Sequence, residues 1–271
     1  MSSLIAASQT EETQRFADRI RLRALRMVAP HGFGYLGQAL SCAETVAALY
    51  RTAYRPSQDL LVCSPGHYIV AVFAAAVETG QLDEARLATY GHDDSTLEAI
   101  GTERSPAVDL TCGSLGTGLS GAIGFALSNR LRGDEEARVF ALLSDGELEE
   151  GQVWEAALFA GHHRLDRLLV VLDANDSQVD GPVSSITTIE PIADKWASFG
   201  WHVADVDGHD PAALEAAIAA AMLDARPSIV VARTSTRQGL DVLPPDADGH
   251  FIKLPADLVE AATAELEARL A

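Results

Sequence analysis

Apolar positions along this chain switch between two periods. From Glu12 to Val28, Phe16, Ile20, Leu22, Arg23 and Met27 fall at mixed helical spacing and the run stops ahead of Pro30, which predicts an amphipathic helix. A glycine-rich connector, His31 to Gly37, follows. Ser41 and Glu44 then form a Ser-x-x-Glu pair, in which hydroxyl and carboxylate cap each other's backbone amides, so a helix is predicted from there to about Ala53. Ser64-Pro65-Gly66-His67 opens another, whose body is the apolar segment Ile69 to Val77.

Beyond that point short β-rich runs alternate with helical stretches. Helix Leu119 to Leu131 precedes strand Val139 to Leu143, helix Gln152 to His163 precedes strand Leu168 to Leu172, and a shorter helix spans Ile192 to Phe199. Strand Trp201 to Val206, helix Pro211 to Leu223, strand Ile229 to Ala232 and a terminal helix Ala256 to Leu270 complete the series. Continuous Val/Ile/Leu strands between helices of this length predict an α/β fold, a parallel sheet covered by helices on both faces. No internal repeat and no Pro/Ser-rich linker divides residues 1–271, so one domain with an N-terminal helical extension is expected.

Composition narrows the function. With 48% apolar and 22% charged residues over 271 positions the chain is globular in composition, and 20 Lys+Arg against 39 Asp+Glu give a net charge of −19. Such a field repels nucleic acid and anionic membrane surfaces, so neither partner is expected, and an anionic ligand needs a local site. The longest apolar run, Tyr68 to Val77, is too short to span a bilayer, and the N-terminus lacks a basic start followed by an apolar core; a cytoplasmic protein is expected. Cys42, Cys63 and Cys112 form no CxxC pair and predict reduced, mostly buried thiols.

The candidate chemistry sits at predicted strand ends. Ser144-Asp145-Gly146-Glu147 closes one strand and Asp173-Ala174-Asn175-Asp176-Ser177-Gln178 another, and in an open α/β sheet ligands bind beyond the carboxyl ends of the strands. A carboxylate, an amide carbonyl and a loop carbonyl are hard oxygen ligands suited to Mg²⁺ or Ca²⁺, with coordination positions left for phosphate. A divalent ion bridging protein to a diphosphate follows, and it explains how an acidic chain holds a polyanion. The alternative is local: Asp-Gly is a common turn, and loop Asn bonds its own backbone. The run Cys112 to Gly121 places glycines before a helix, where backbone amides approach a phosphate. Gly116 to Gly121 also fits GxGxxG and leaves a nicotinamide-dependent oxidoreductase open, although Pro106 and Asp109 make a poor buried strand ahead of it. Gly118, Gly121 and Gly124 have a third reading, close helix packing.

The stretch Asp145 to Gly181 strongly resembles the thiamine diphosphate signature of the transketolase family, in particular the N-terminal subunit of split transketolases. Ser64-Pro65-Gly66-His67 resembles the family's SKGH, Gly113 to Gly118 its GSLGQG, His31-Gly32 its early GH motif, and Arg233 to Gly239 with His250 its closing segment. The resemblance implies the thiamine diphosphate-binding (PP-type) fold. Carried over by position, it implies Mg²⁺ held by the side chains of Asp145 and Asn175 and the carbonyl of Ser177. Gly113, Ser114, Leu115, Gly146 and Glu147 would line the diphosphate, with His67 and His250 beside it and the reacting centre, and with His31 near the substrate. Glu150 matches an acidic position of the subunit interface. Ser144 replaces the first glycine of the family's GDG, and Thr102 stands where the family has a substrate-facing histidine. His162-His163 receives no ligand role, since adjacent helical side chains diverge.

Thiamine chemistry in this family also uses a glutamate from a second, pyrimidine-binding domain, for which 271 residues leave no length. The resemblance therefore implies a companion C-terminal transketolase subunit in an α₂β₂ heterotetramer, transferring a two-carbon unit from a ketose to an aldehyde acceptor. Besides the oxidoreductase, two other rivals are a 2-oxo-acid dehydrogenase or decarboxylase α subunit, which shares the metal motif, and a non-catalytic paralogue, suggested by Thr102.

Overall fold

A computed structural model describes residues 2–245, 247 and 249–271, with side chains described from residue 8 onward. Its strands are β1 (Phe33–Gly34), β2 (Leu60–Pro65), β3 (Leu110–Cys112), β4 (Val139–Ser144), β5 (Leu168–Ala174), β6 (His202–Asp207), β7 (Ser228–Arg233) and β8 (Ile252–Lys253). The helices are α1 (Ser2–Val28), α2 (Leu36–Ser41), α3 (Ala43–Thr52), α4 (Ile69–Glu78), α5 (Gly118–Arg132), α6 (Gly151–His162), α7 (Val183–Ile186), α8 (Ile192–Ser198), α9 (Pro211–Leu223) and α10 (Ala256–Leu270). Six strands make one sheet in the order β3-β2-β4-β5-β7-β6, every pair parallel, while β1 and β8 pair antiparallel apart from it.

The sheet is apolar on both faces because its inner strands alternate between two cores. Phe140, Leu142, Leu169, Val171, Val230 and Ala232 face a cluster that includes Phe16, Ile20 and Leu25 of α1, Leu49 of α3, Phe73 of α4 and Ile218 of α9. Ala141, Leu143, Val170, Leu172, Ile229 and Val231 face the opposite cluster, with Leu119 of α5, Val153 of α6 and Trp196 of α8. This is the two-sided burial that the continuous Val/Ile/Leu runs predict. Punctuation of the helices follows local chemistry. Asp210 caps α9 by accepting from the amides of Ala212 and Ala213, with Pro211 behind it, and Gly133 ends α5 at φ +71.

The N-terminal third departs from expectation. The first helix begins well before Glu12, and Ser41 and Glu44 do not form a capping box: α2 ends at Ser41 and α3 starts behind Cys42 with no side-chain cap. Both groups have stronger buried partners. Ser41 Oγ donates to Asp173 Oδ2 at 2.5 Å, and Glu44 pairs with the fully buried Arg21. Two sheet strands, β2 and β3, also stand where no strand is predicted.

Candidate functional site

The site follows from the strand order. From β2 the chain crosses to β3 on one side, then returns past β2 to β4 on the other. Such a reversal leaves a crevice beyond the carboxyl ends of the strands. Four segments from sheet strands meet there, 64–67, 112–117, 144–147 and 174–178.

Ser144 of β4 pairs with Asp173 of β5, so the next residues, Asp145 and then Asn175, emerge from neighbouring strand tips. Asp145 is 3% exposed and pairs with no cation among the described residues. Among the described residues its carboxylate accepts only from backbone amides, Gly146 at 2.8 Å and Asp176 at 2.6 Å. Burial and the neighbouring Asp173 push its pKa up to about 7. Asn175 Oδ1 accepts from the amide of Ser177 at 2.9 Å, which folds the Asn175–Ser177 loop toward Asp145. Ser144, in place of the family's glycine, is buried without disturbing the β4–β5 pairing.

Asp173 organises this loop from beneath and has no role in the sequence reading. It is fully buried and accepts from Ser41, from Tyr68 at 2.8 Å, from Asn175 Nδ2 at 2.7 Å and from Thr234 at 2.6 Å. Its hold on the Asn175 amide nitrogen turns the amide oxygen the other way. The DAN tripeptide at a strand end is the signal that could have found it.

Across the crevice stand two imidazoles. His67, on the turn after β2, and His250 have ring centroids 5.1 Å apart. Burial, then the adjacent His250, lowers the pKa of His67 to about 3, so it is neutral at physiological pH. Gln38 fixes His250 by donating to its carbonyl at 3.0 Å. Gly37 has no room for a side chain because the Gly249 carbonyl occupies that space.

His31 is not part of this group. Its Nε2 lies 2.8 Å from the Tyr90 carbonyl and its ring packs 5.8 Å from His92, outside the histidine pair. The residue of the same connector that borders the pair is Tyr35, with ring centroids 5.1 Å from His67 and 5.8 Å from His250. The early GH motif thus lies four positions ahead of the side chain that reaches the site. The reason is geometric: the 3-10 turn Ala29–His31 and Gly32 at φ +75 steer His31 into the loop near Tyr90, and β1 then carries the chain to Tyr35. Thr102 is engaged with Glu98 through its hydroxyl, while the adjacent Gly101 donates to the Gly66 carbonyl at 2.9 Å.

The glycine loop lies between β3 and α5. A Cβ added at Gly113 would meet nothing within 4 Å, so that backbone is open, while at Gly146 it would lie in ordinary contact with Gln178 Cβ at 3.5 Å. Glu147 is different: it is fully buried and turned under the loop, accepting from the Gly116 amide at 2.8 Å and from Ser64. It does not line the open side with Gly113. Its pKa rises to about 6 through burial, against the lowering by those hydrogen bonds. Glu150, at the start of α6, is exposed. The rings of His162 and His163 stand at 89° to each other, as divergent neighbours on a helix end.

No group of three His, Cys, Asp or Glu side chains is arranged for a metal among the described residues. The donors present are instead those of a hard cation: an uncompensated buried carboxylate, an amide oxygen and a loop backbone beside them. A diphosphate needs exposed backbone amides beside such an ion, and the glycine loop offers the open backbone of Gly113.

The family model for the transketolase thiamine diphosphate binding domain matches residues 12–268. A putative uncharacterised transketolase family protein of Sinorhizobium fredii is 39% identical, over 90% of this chain and 92% of its own length. The 6-deoxy-6-sulfo-D-fructose transketolase subunit of a Clostridium species is 35% identical over 96% and 98%. An apulose-4-phosphate transketolase subunit from Actinobacillus succinogenes is 31% identical over 95% and 96%. Among solved structures, transketolase from Leishmania mexicana superposes with a TM-score of 0.82 at 26% identity, over 94% of this chain and 41% of that one. Transketolase from Campylobacter jejuni shares the fold, with a TM-score of 0.85 over 94% of this chain and 42% of that one. By sequence over nearly its whole length, and by the fold it shares with solved transketolases, the chain belongs to the transketolase thiamine diphosphate-binding domain family.

Proposed function

We propose that this chain is the diphosphate-binding subunit of a two-component, thiamine diphosphate-dependent transketolase, which moves a two-carbon ketol unit from a ketose to an aldehyde. The observation that supports this most is the placing of Asp145 and Asn175 on adjacent strand tips, with the open backbone of Gly113 in the glycine loop. Relatives named as transketolase subunits match end to end rather than over part of their length.

Thiamine diphosphate, when bound, supplies the electron sink that cleavage of a ketose C–C bond needs. This chain's part is to hold and to position. Asp145 and Asn175 through side chains, and Ser177 through its carbonyl, would hold Mg²⁺, with Ca²⁺ an equally hard alternative. Gly113, Ser114, Leu115 and Gly146 would line the diphosphate. His67 and His250 stand beside it, and the neutral His67 offers a hydrogen bond without a charge. Tyr35 takes the substrate-facing place read for His31; a phenol there donates a hydrogen bond but does not carry a proton between groups as imidazole does.

A companion chain supplies the pyrimidine-binding domain and its glutamate. An α₂β₂ assembly lets two-fold symmetry complete both sites, and the exposed Glu150 belongs to that interface. The whole chain acts as one diphosphate-binding domain with an N-terminal helical extension. Among the described residues no helix is long and apolar enough to cross a membrane. A cytoplasmic location and small-molecule ketose and aldose substrates belong to the same proposal.

The test is reconstitution. The chain, its companion, Mg²⁺ and thiamine diphosphate should together give ketol transfer, with sulfosugar and phosphosugar ketoses as the first donors. Full activity from this chain alone would refute the division of labour, and pyruvate decarboxylation by the pair would favour the 2-oxo-acid reading.

A further inference from the structure

Three segments of the site meet on a single oxygen atom. Glu147 Oε1 accepts from Ser64 Oγ, at the carboxyl end of β2, and from the amide of Gly116, in the glycine loop, at 2.8 Å. Glu147 itself follows β4. Its other oxygen, Oε2, is buried and has no hydrogen-bond partner among the described residues. A buried carboxylate with half its acceptors unused and no described cation beside it is unfavourable for folding alone, and an apolar side chain of similar size would be the cheaper filling.

The loop has no slack around this tie. Gly116 sits at φ +81, where a Cβ would stand 2.5 Å from Glu150 Cβ, and a Cβ on Gly118 would come within 2.7 Å of Ser64 Cα. The backbone of residues 116–118 is thereby pressed onto β2 and the start of α6. One loop amide, that of Gly116, is consumed inward, while the Gly113 end of the loop stays open. Fixed and outward backbone amides are what a loop needs to receive an anion without reorganising.

We propose that Glu147 is a positioning residue: by holding Gly116 and Ser64 on one carboxylate oxygen it locks the glycine loop so that the amides of residues 113–115 face the diphosphate. This rests on the reading of the site given above. Glu147 acts as an acceptor rather than as a charge, because a negative group beneath a diphosphate opposes binding through space.

That distinction gives the test. Glu147→Gln keeps an oxygen acceptor and loses the charge; Glu147→Ala loses both. Hydrogen exchange of the glycine loop is measured on the full chain without ligand, and Mg²⁺-dependent binding of thiamine diphosphate on the complex with its companion. Glu147→Ala should speed exchange at Gly116 and weaken binding by about tenfold, the scale of one net hydrogen bond, with Glu147→Gln restoring both to within about twofold of wild type. Ser64→Ala, which removes one of the two donors, should give a smaller change of the same sign and replaces Glu147→Ala if that variant does not fold. Unchanged exchange in Glu147→Ala, or equal losses in the Gln and Ala variants, would overturn the proposal. If wild type itself binds no thiamine diphosphate, the functional reading fails, and the exchange measurement still decides whether the tie holds the loop.

Discussion

Replacing Glu44 tests whether a charge cluster beneath the site holds this fold together. Arg21 is fully buried and meets Glu44 through Nη2 at 2.5 Å and Asp18 through Nη1 at 3.2 Å. His209 Nδ1 lies 3.2 Å from the same Glu44 oxygen, while its Nε2 accepts from the Ser235 amide at 2.8 Å. The cluster therefore links α1, α3, the β6–α9 turn and the segment after β7. Burial by itself raises the pKa of Glu44, yet Arg21 and His209 overcome it and hold the group at about 2, below its ordinary 4.5. That difference corresponds to about 3 kcal/mol of stability at neutral pH. Because the folded value is depressed, the contribution is complete above pH 4.5 and drains away as the pH falls toward about 2. Urea unfolding of wild type and Glu44→Gln across pH 7 to 3 reads it directly. The variant should be less stable by about 3 kcal/mol at pH 7, near the low end of roughly 3–5 kcal/mol for breaking one side of a buried pair, and the gap should narrow below pH 4.5. A gap that does not change with pH would show that packing, not the Arg21 charge, accounts for the loss.

Further expectations follow from the site. Asp145→Asn should abolish Mg²⁺-dependent cofactor binding while raising the melting temperature of the ligand-free chain, since it removes a buried carboxylate without a cation; unchanged cofactor affinity would remove the metal assignment. Tyr35→Phe in the reconstituted pair should lower kcat/KM with thiamine diphosphate affinity intact, whereas Tyr35 variants indistinguishable from wild type on every ketose would place the ring outside the substrate's reach. Gly118→Ala puts a methyl against the Ser64 backbone and should cost about 1–3 kcal/mol, read as a lower melting temperature, through overpacking.

The fold was most legible where local pattern and burial agree. Helix α9 shows its ends through Pro211 and its small apolar interior, and strands β4, β5 and β7 through uninterrupted Val/Ile/Leu runs buried on both sides. It was least legible in the N-terminal third. Strand β2 is six residues ending in Pro65, next to a helix of stronger apolar pattern, and β3 is three residues beyond Pro106 and Asp109. Strand β2 pairs with β4, a partner far along the chain, and β3 pairs with β2. That Asp145 and Asn175 stand on neighbouring strand ends was legible because strand ends are visible as breaks in apolar runs. The directions of Glu147 and His31 were not legible, for another reason. Position in a motif does not tell which way a side chain turns, and only contacts with Gly116 and Tyr90 decide it. Ser41 shows the same limit, its hydroxyl being drawn to Asp173 across 132 positions of sequence rather than to the next helix.

The wall that carries His250 has a consequence for biosynthesis. Gln38 reaches His250 over a separation of 212 residues, and β1 pairs with β8 beside it, so this side of the crevice is made from the two ends of the chain. Contacts of such range close late. On the ribosome the parallel sheet has all its strands once β7 emerges, but the histidine pair cannot form until the stretch through residue 253 has been released. A nascent or truncated product would thus be well folded in its centre and still unable to assemble the histidine side of its pocket.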